Sequence, residues 1–106
     1  MDSKTHARFE ARAKIIRAMA HPTRLFIMDQ LSRRERCVCE LTDMIGADMS
    51  TVSKHLAVLK SVGIVRNEKR GSQVYYTLRT PCILDSLSCV ESAMRLVARE
   101  QLELVR

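Results

Sequence analysis

Four cysteines carry the sharpest chemistry in this sequence, and two of them, Cys37 and Cys39, stand one residue apart. Thiolates are soft ligands suited to thiophilic ions, and two thiols can also close into a disulfide. On an ideal helix, residues two apart point about 200° away from each other. Both sulfurs therefore meet one ion only where the backbone is extended or unwound, because side chains two apart share a face in an extended segment. Ligand capture would strain or re-form the start of the helix that follows, which makes the pair a plausible switch element. Cys82 and Cys89 lie seven residues apart, about 10 Å along a helix, so one helix cannot bring both to a single ion. These spacings point to metal binding or redox chemistry rather than to a secreted disulfide framework.

A second constellation is Ser50-Thr51-Val52-Ser53-Lys54-His55-Leu56. Val52, Leu56 and Leu59 recur at helical spacing and anchor a helix to a core. Ser50, Thr51, Ser53, Lys54 and His55 are left at its N-terminal end or on its outer side. A recognition helix places such residues in the major groove, where short hydroxyls and a lysine bond phosphates and base edges. The helix N-terminus itself favours a phosphate. Shortly after comes Lys69-Arg70-Gly71-Ser72-Gln73, a cationic hairpin tip suited to the minor groove or the DNA backbone. The candidate DNA contacts are thus Ser50, Thr51, Ser53, Lys54, His55, Lys69, Arg70 and Gln73.

These residues need elements to hold them. Ser3 is expected to cap a first helix with Phe9, Ala13 and Ile16 at helical spacing. His21-Pro22 breaks it, and Pro22 fits the first turn of a second helix, whose buried face is Leu25, Met28 and Leu31. Cys37-Val38-Cys39 opens a short helix to Ile45, and Gly46 stops it. Gly46-Ala47-Asp48 is a tight turn before the helix from Ser50 to about Ser61. Period two then replaces period 3.6. Ile64–Arg70 and Gln73–Leu78 read as two strands joined at Gly71-Ser72. Thr80-Pro81 opens a last helix, Cys82 to about Leu104. The expected fold is mainly α with a β-hairpin wing, in the order ααααββα, as a single domain over residues 1–106.

Composition agrees with this reading. The 106 residues are 46% hydrophobic and 28% charged, with formal charge +6 and pI about 9.6. That is ordinary for a globular domain, and the basic balance favours a polyanionic partner, double-stranded DNA ahead of a membrane surface. The polar N-terminus carries no leader pattern, and no apolar run approaches the roughly 20 residues of a membrane helix. A cytoplasmic location, with the cysteines reduced at rest, is expected. A thiol enzyme is the competing class. However, no Gly-rich phosphate loop, paired catalytic carboxylates or HExxH helix is visible, so no catalytic residue is assigned.

Several motifs in order resemble the ArsR/SmtB family of metal-responsive repressors. His21-Pro22-Thr23-Arg24-Leu25 is similar to the family's second-helix start, and Cys37-Val38-Cys39-Glu40-Leu41 resembles its arsenic-sensing members. Ser50–Leu56 is similar to the recognition helix and Arg70–Tyr76 to the wing. The resemblance runs from about Lys4 to Leu104. It implies a winged helix-turn-helix homodimer, joined through its first and last helices, that leaves an inverted-repeat operator when an inducer binds. Phe9, Ile16, Ile83, Leu87, Val90, Met94 and Val97 would form the dimer interface. The last helix's apolar stripe is also too long for so small a core to hide.

In the arsenic sensors a third cysteine follows three residues on, where Thr42 stands here. Cys82 is the first substitute as third metal ligand beside Cys37 and Cys39, and Cys89 the second. The family's last-helix zinc site lacks its histidines, and the N-terminal cysteines of its cadmium and lead sensors are missing. The resemblance therefore implies As(III) or Sb(III) as inducer, with no further cofactor. A cadmium- or lead-type sensor and a redox- or sulfide-responsive repressor of the same fold are the alternatives.

Overall fold

The structure is a computed structural model that describes residues Met1–Arg106. Five helices, α1 Ser3–Met19, α2 Pro22–Arg33, α3 Val38–Ile45, α4 Met49–Ser61 and α5 Asp85–Leu104, accompany a three-stranded antiparallel sheet. The strands are β1 Arg36–Cys37, β2 Val65–Arg70 and β3 Gln73–Leu78, in the order β1-β3-β2. The mainly helical fold with its hairpin wing is as the sequence predicts. The additional strand β1 is a correction: two residues are too few to show a period-two pattern, and pairing with β3 defines them. Arg36 lies opposite Tyr76 and Cys37 opposite Tyr75.

Helix ends explain the local boundaries. The cap of α1 is Asp2 rather than Ser3, because the Asp2 carboxylate accepts the Thr5 N–H at 2.7 Å. The His21 ring caps α2 by accepting the Thr23 N–H through Nδ1 at 3.0 Å, with Pro22 in the first turn. Gly46 ends α3 in the left-handed region at φ +77°, where a side chain would be strained. Asp48 caps α4 by accepting the Thr51 N–H at 2.7 Å. After the sheet, Pro81–Leu84 form a 3-10 turn. Cys82 therefore precedes α5 instead of lying in its first turn. Thr80 makes no side-chain cap, and its buried hydroxyl oxygen has no hydrogen-bond partner.

The core lies among α2, α3, α4 and the roots of the strands. Ile27, Met28, Leu31, Leu41, Val52, Leu56, Leu59, Ile64, Val65 and Tyr76 fill it, joined at one side by Met19. Val52, Leu56 and Leu59 are fully buried, as their spacing requires. The flanking helices behave otherwise. In α1 only Ala18 and Met19 are buried, and in α5 no residue is. Phe9, Ile16, Val90, Met94 and Val97 are all more than half exposed. Ile83 and Leu87 pack partly against the core.

These flanks make the subunit extended. Its radius of gyration is 16.9 Å, against about 13 Å for a compact chain of this length. It exposes 7584 Å², where a compact monomer of this mass exposes about 6,000 Å². No helix is long and apolar enough to cross a membrane.

Candidate nucleic-acid interface and thiol pair

Helix α4 presents the first candidate surface. Three buried side chains pin its inner face, which leaves Ser50, Thr51, Ser53 and Lys54 exposed at its N-terminal end. Asp48 organises that end, accepting the Thr51 N–H and, at 2.9 Å, the Ser50 hydroxyl. Hydrogen bonds from Thr51 and Ser50, with Lys54 nearby, hold the Asp48 carboxyl below its ordinary range. The cap thus stays ionised at neutral pH.

His55 departs from the expected outward role. Its ring is half-buried, Nδ1 accepts from Arg24 Nε at 3.1 Å, and it lies 4.4 Å, centroid to centroid, from the His21 ring. Arg24 also donates to the Ala18 carbonyl at 3.2 Å. His55 therefore joins α4 to the α1–α2 corner. The helical pattern places it off the core stripe but cannot show that a second element covers that side. Burial first, then the charges of His21 and Arg24, lowers its pKa below the ordinary 6.5.

The wing differs from a free cationic tip. Lys69 is exposed and takes part in no ion pair. Arg70 grips Glu35 with both guanidinium nitrogens, at 2.6 and 3.0 Å, and meets Glu68 at 3.0 Å. Its guanidinium also lies 4.8 Å from the Tyr75 ring centroid. The Glu35 carboxyl is held below its ordinary range, chiefly by the Arg70 hydrogen bonds. Gln73, though exposed, has its side-chain oxygen 3.2 Å from Cys39 Sγ.

The thiol pair lies against this wing. Cys37 is extended, buried in β1 and also the N-cap of α3, whereas Cys39 is half-buried in the first turn. The change of backbone brings their sulfurs together, with Cα atoms 5.4 Å apart, and the structure joins them as a disulfide. The helix thus begins at Val38, which gives the extended Cys37 that shared capture requires, whereas the expectation of resting thiols is not how the pair stands here. Cys37 Sγ accepts the Glu40 N–H at 3.3 Å, and Glu40 returns a carboxylate to the Cys37 N–H at 3.3 Å. This is a capping box with sulfur in place of a hydroxyl. Arg34 first, then the Cys37 N–H, holds the Glu40 carboxyl below its ordinary range.

The third predicted ligand is not brought to this pair. Cys82, exposed, sits beside Ile15, Val62 and Ile64, and Cys89 is exposed on α5. No three His, Cys, Asp or Glu side chains of the chain converge to hold a metal ion. Spacing alone could not show this, since the sheet and the 3-10 turn decide where residue 82 lies. Glu35, Glu40, Arg24 and His21 contact the candidate residues Arg70, Cys37 and His55 without having been assigned to the site from the sequence. Only Glu40 had a usable signal, the Cys-x-x-Glu spacing.

Residues 21–67 match the family described as "Bacterial regulatory protein, arsR family". The chain is 41% identical over 69 residues to the HTH-type transcriptional repressor SmtB of Mycobacterium tuberculosis, covering 65% of this chain and 51% of that protein. It is 37% identical to the HTH-type transcriptional regulator MJ1325 of Methanocaldococcus jannaschii, covering 65% of this chain and 79% of that one. The chain belongs to the ArsR family. The chain spans about half the length of the SmtB relative.

The homodimeric winged helix-turn-helix DNA-binding domain of Mb0332 from Mycobacterium bovis superposes with a TM-score of 0.68 at 28% identity, covering 97% of this chain and 92% of that one. In this ArsR-family chain, α3, the Gly46–Asp48 turn and α4 are the helix-turn-helix, and β2–β3 the wing. The family match stops within β2, so it leaves out most of the wing and all of α5. The named relatives are regulators of transcription, in keeping with the assignment of no catalytic residue.

Proposed function

We propose that this protein is a transcriptional repressor that binds operator DNA as a homodimer and is released through Cys37 and Cys39. The observation that carries the reading is a juxtaposition. The free polar end of α4 stands at one end of α3, and the sulfur pair forms the cap at the other. Ser50, Thr51, Ser53 and Lys54 would enter the major groove, with Lys69 at the backbone. A two-fold dimer would set two α4 helices about 34–36 Å apart, on an inverted repeat. The bare faces of α1 and α5, carrying Phe9, Ile16, Val90, Met94 and Val97, support that assembly. Ile83 and Leu87 would extend the same interface from the side that touches the core.

The inducer we favour is As(III) or Sb(III), held by the Cys37 and Cys39 thiolates. Sulfur engaged by the ion is a poorer acceptor for the Glu40 N–H, so capture would loosen the α3 cap. Cys82 does not reach the pair within one chain. A three-thiolate site would need a sulfur from outside the subunit, and Cys82 of a second copy is the first candidate, Cys89 the second. One observation favours a redox-responsive repressor as the second reading: the sulfurs are already close enough to be joined.

Fluorescence anisotropy of reduced protein on DNA from upstream of its own gene, titrated with arsenite, zinc and a mild oxidant, tests the reading. Release by stoichiometric arsenite alone is the expected result, and Cys37→Ser and Cys39→Ser should bind DNA but ignore arsenite. Release by oxidant alone would establish the redox reading. No binding to that DNA or to a wider DNA screen would refute the function.

A further inference from the structure

The thiol pair lies far closer to the wing than to the polar end of α4. Helix α3 has eight residues, so about 12 Å of helix separates its two ends. The wing instead touches the pair's own segment at three places. Cys37 pairs with Tyr75 across the β1–β3 ladder. Arg70 stacks on Tyr75 and grips Glu35, two residues before Cys37. Cys39 meets Gln73, the ladder partner of Arg70. Cys37, Tyr75, Arg70 and Glu35 thus form a closed circuit, and both strands of the wing tip are tied to it.

We propose that the Cys37–Cys39 pair acts on DNA chiefly by repositioning the wing, with Glu35 as the positioning residue that holds Arg70. The inference rests on the reading of these cysteines as the sensing pair. Arg70 is then a strut, not a free phosphate contact. Its paired grip on Glu35 is the geometry in which an Arg–carboxylate pair is most specific, and Glu68 occupies it further. A change of conformation at residues 37–39 moves Tyr75 and Gln73 through the ladder and shifts the frame against which Arg70 is held.

The alternative role of Glu35 predicts the opposite sign. If Glu35 merely competed with phosphate for Arg70, Glu35→Gln would release the guanidinium and strengthen DNA binding. If Glu35 positions the wing, the same substitution weakens it.

The probe is phenylarsine oxide on the reduced full chain. Its arsenic forms two As–S bonds with the two thiols, the As=O oxygen leaves as water with both thiol protons, and no electron is transferred. Without DNA, capping should move the side-chain NMR signals of Arg70 Nε–H and the Gln73 amide more than the backbone amides of Ser50–Lys54. Cys37→Ser should abolish the shift. With DNA, Glu35→Gln should bind several-fold more weakly at low salt. Its ratio of uncapped to capped affinity should fall to less than half the unsubstituted ratio, with arsenical affinity unchanged. Movement confined to Ser50–Lys54, or tighter DNA binding by Glu35→Gln, would overturn the proposal. Failure of the unsubstituted protein to bind DNA would refute the proposed function instead, and the NMR signals would still decide the coupling.

Discussion

The body and the flanks of this subunit are built on opposite terms. In the body, α2, α3, α4 and the sheet each send large apolar side chains into one shared core, several of them completely buried, although Phe26, Met44 and Met49 stay exposed. Helices α1 and α5 together hold 37 of the 106 residues, yet bury only Ala18 and Met19. The difference is not one of helix-forming ability, since α5 runs 20 residues. It is that the body's apolar faces meet each other, while the flanks touch the core only through residues such as Met19 and Leu87 and leave Phe9, Ile16, Val90, Met94 and Val97 largely uncovered. A helix with an apolar stripe draws most of its stability from packing, so the flanks would gain from the proposed dimer in a way the body does not.

That contrast can be tested hardest at its centre. Leu56 is fully buried in α4, and Leu56→Ala should cost about 2–5 kcal/mol in denaturant unfolding. An effect below 1 kcal/mol would mean the body is not the well-packed unit described. Val97→Glu addresses the other side: the side chain is half exposed in the subunit, so the body should keep its helical signal. Self-association measured by sedimentation should weaken by about tenfold or more, since the substitution puts an unpaired charge in an apolar contact. Unchanged association would remove the α5 face from the interface.

A smaller effect is expected at the reading surface. Lys54→Ala should leave stability and association alone and reduce the salt dependence of DNA binding by about one unit of slope, if Lys54 neutralises one phosphate. An unaltered slope would take Lys54 out of the DNA contact. The smallest effect lies where the two regions join, at His21, Arg24 and His55. The lowered His55 pKa means that, as pH falls through 6.5, the unfolded chain takes up a proton before the folded one. The stability due to the neutral ring is full above that value and lost on acidification toward the folded value. Thermal unfolding from pH 7.5 to 5.5 should show a falling midpoint whose slope flattens in His55→Gln. An equal slope in both would assign the acid sensitivity elsewhere.

Much of the body was legible in the sequence because it is repetitive and local. The positions of Val52, Leu56 and Leu59 set both the existence of α4 and the face it buries. The Gly71-Ser72 turn fixed the hairpin so well that β3 lies at Gln73–Leu78 as read. What escaped was long-range or too short for a period. β1 exists only through its two pairs with β3. The Arg70–Glu35 and Arg24–His55 contacts join residues 35 and 31 apart, and no spacing rule reaches that far. Within the candidate site, Ser50, Thr51, Ser53 and Lys54 are exposed, with the Ser50 hydroxyl turned to Asp48. Arg70, Gln73 and His55 turn back onto the protein because charge and ring partners arrive from other elements.

The sheet order leaves β2 as the outer strand of the wing, paired on one side only. Such an edge is a template for strand addition by another chain. From Arg66 onward every residue of β2 is exposed, and the run Arg66-Asn67-Glu68-Lys69-Arg70 includes only one that is uncharged. Two misaligned wings meeting edge to edge would bring like charges together and strip water from them. The strand that shapes the wing for its work is thereby protected against growing into a larger sheet, even where subunits are crowded side by side.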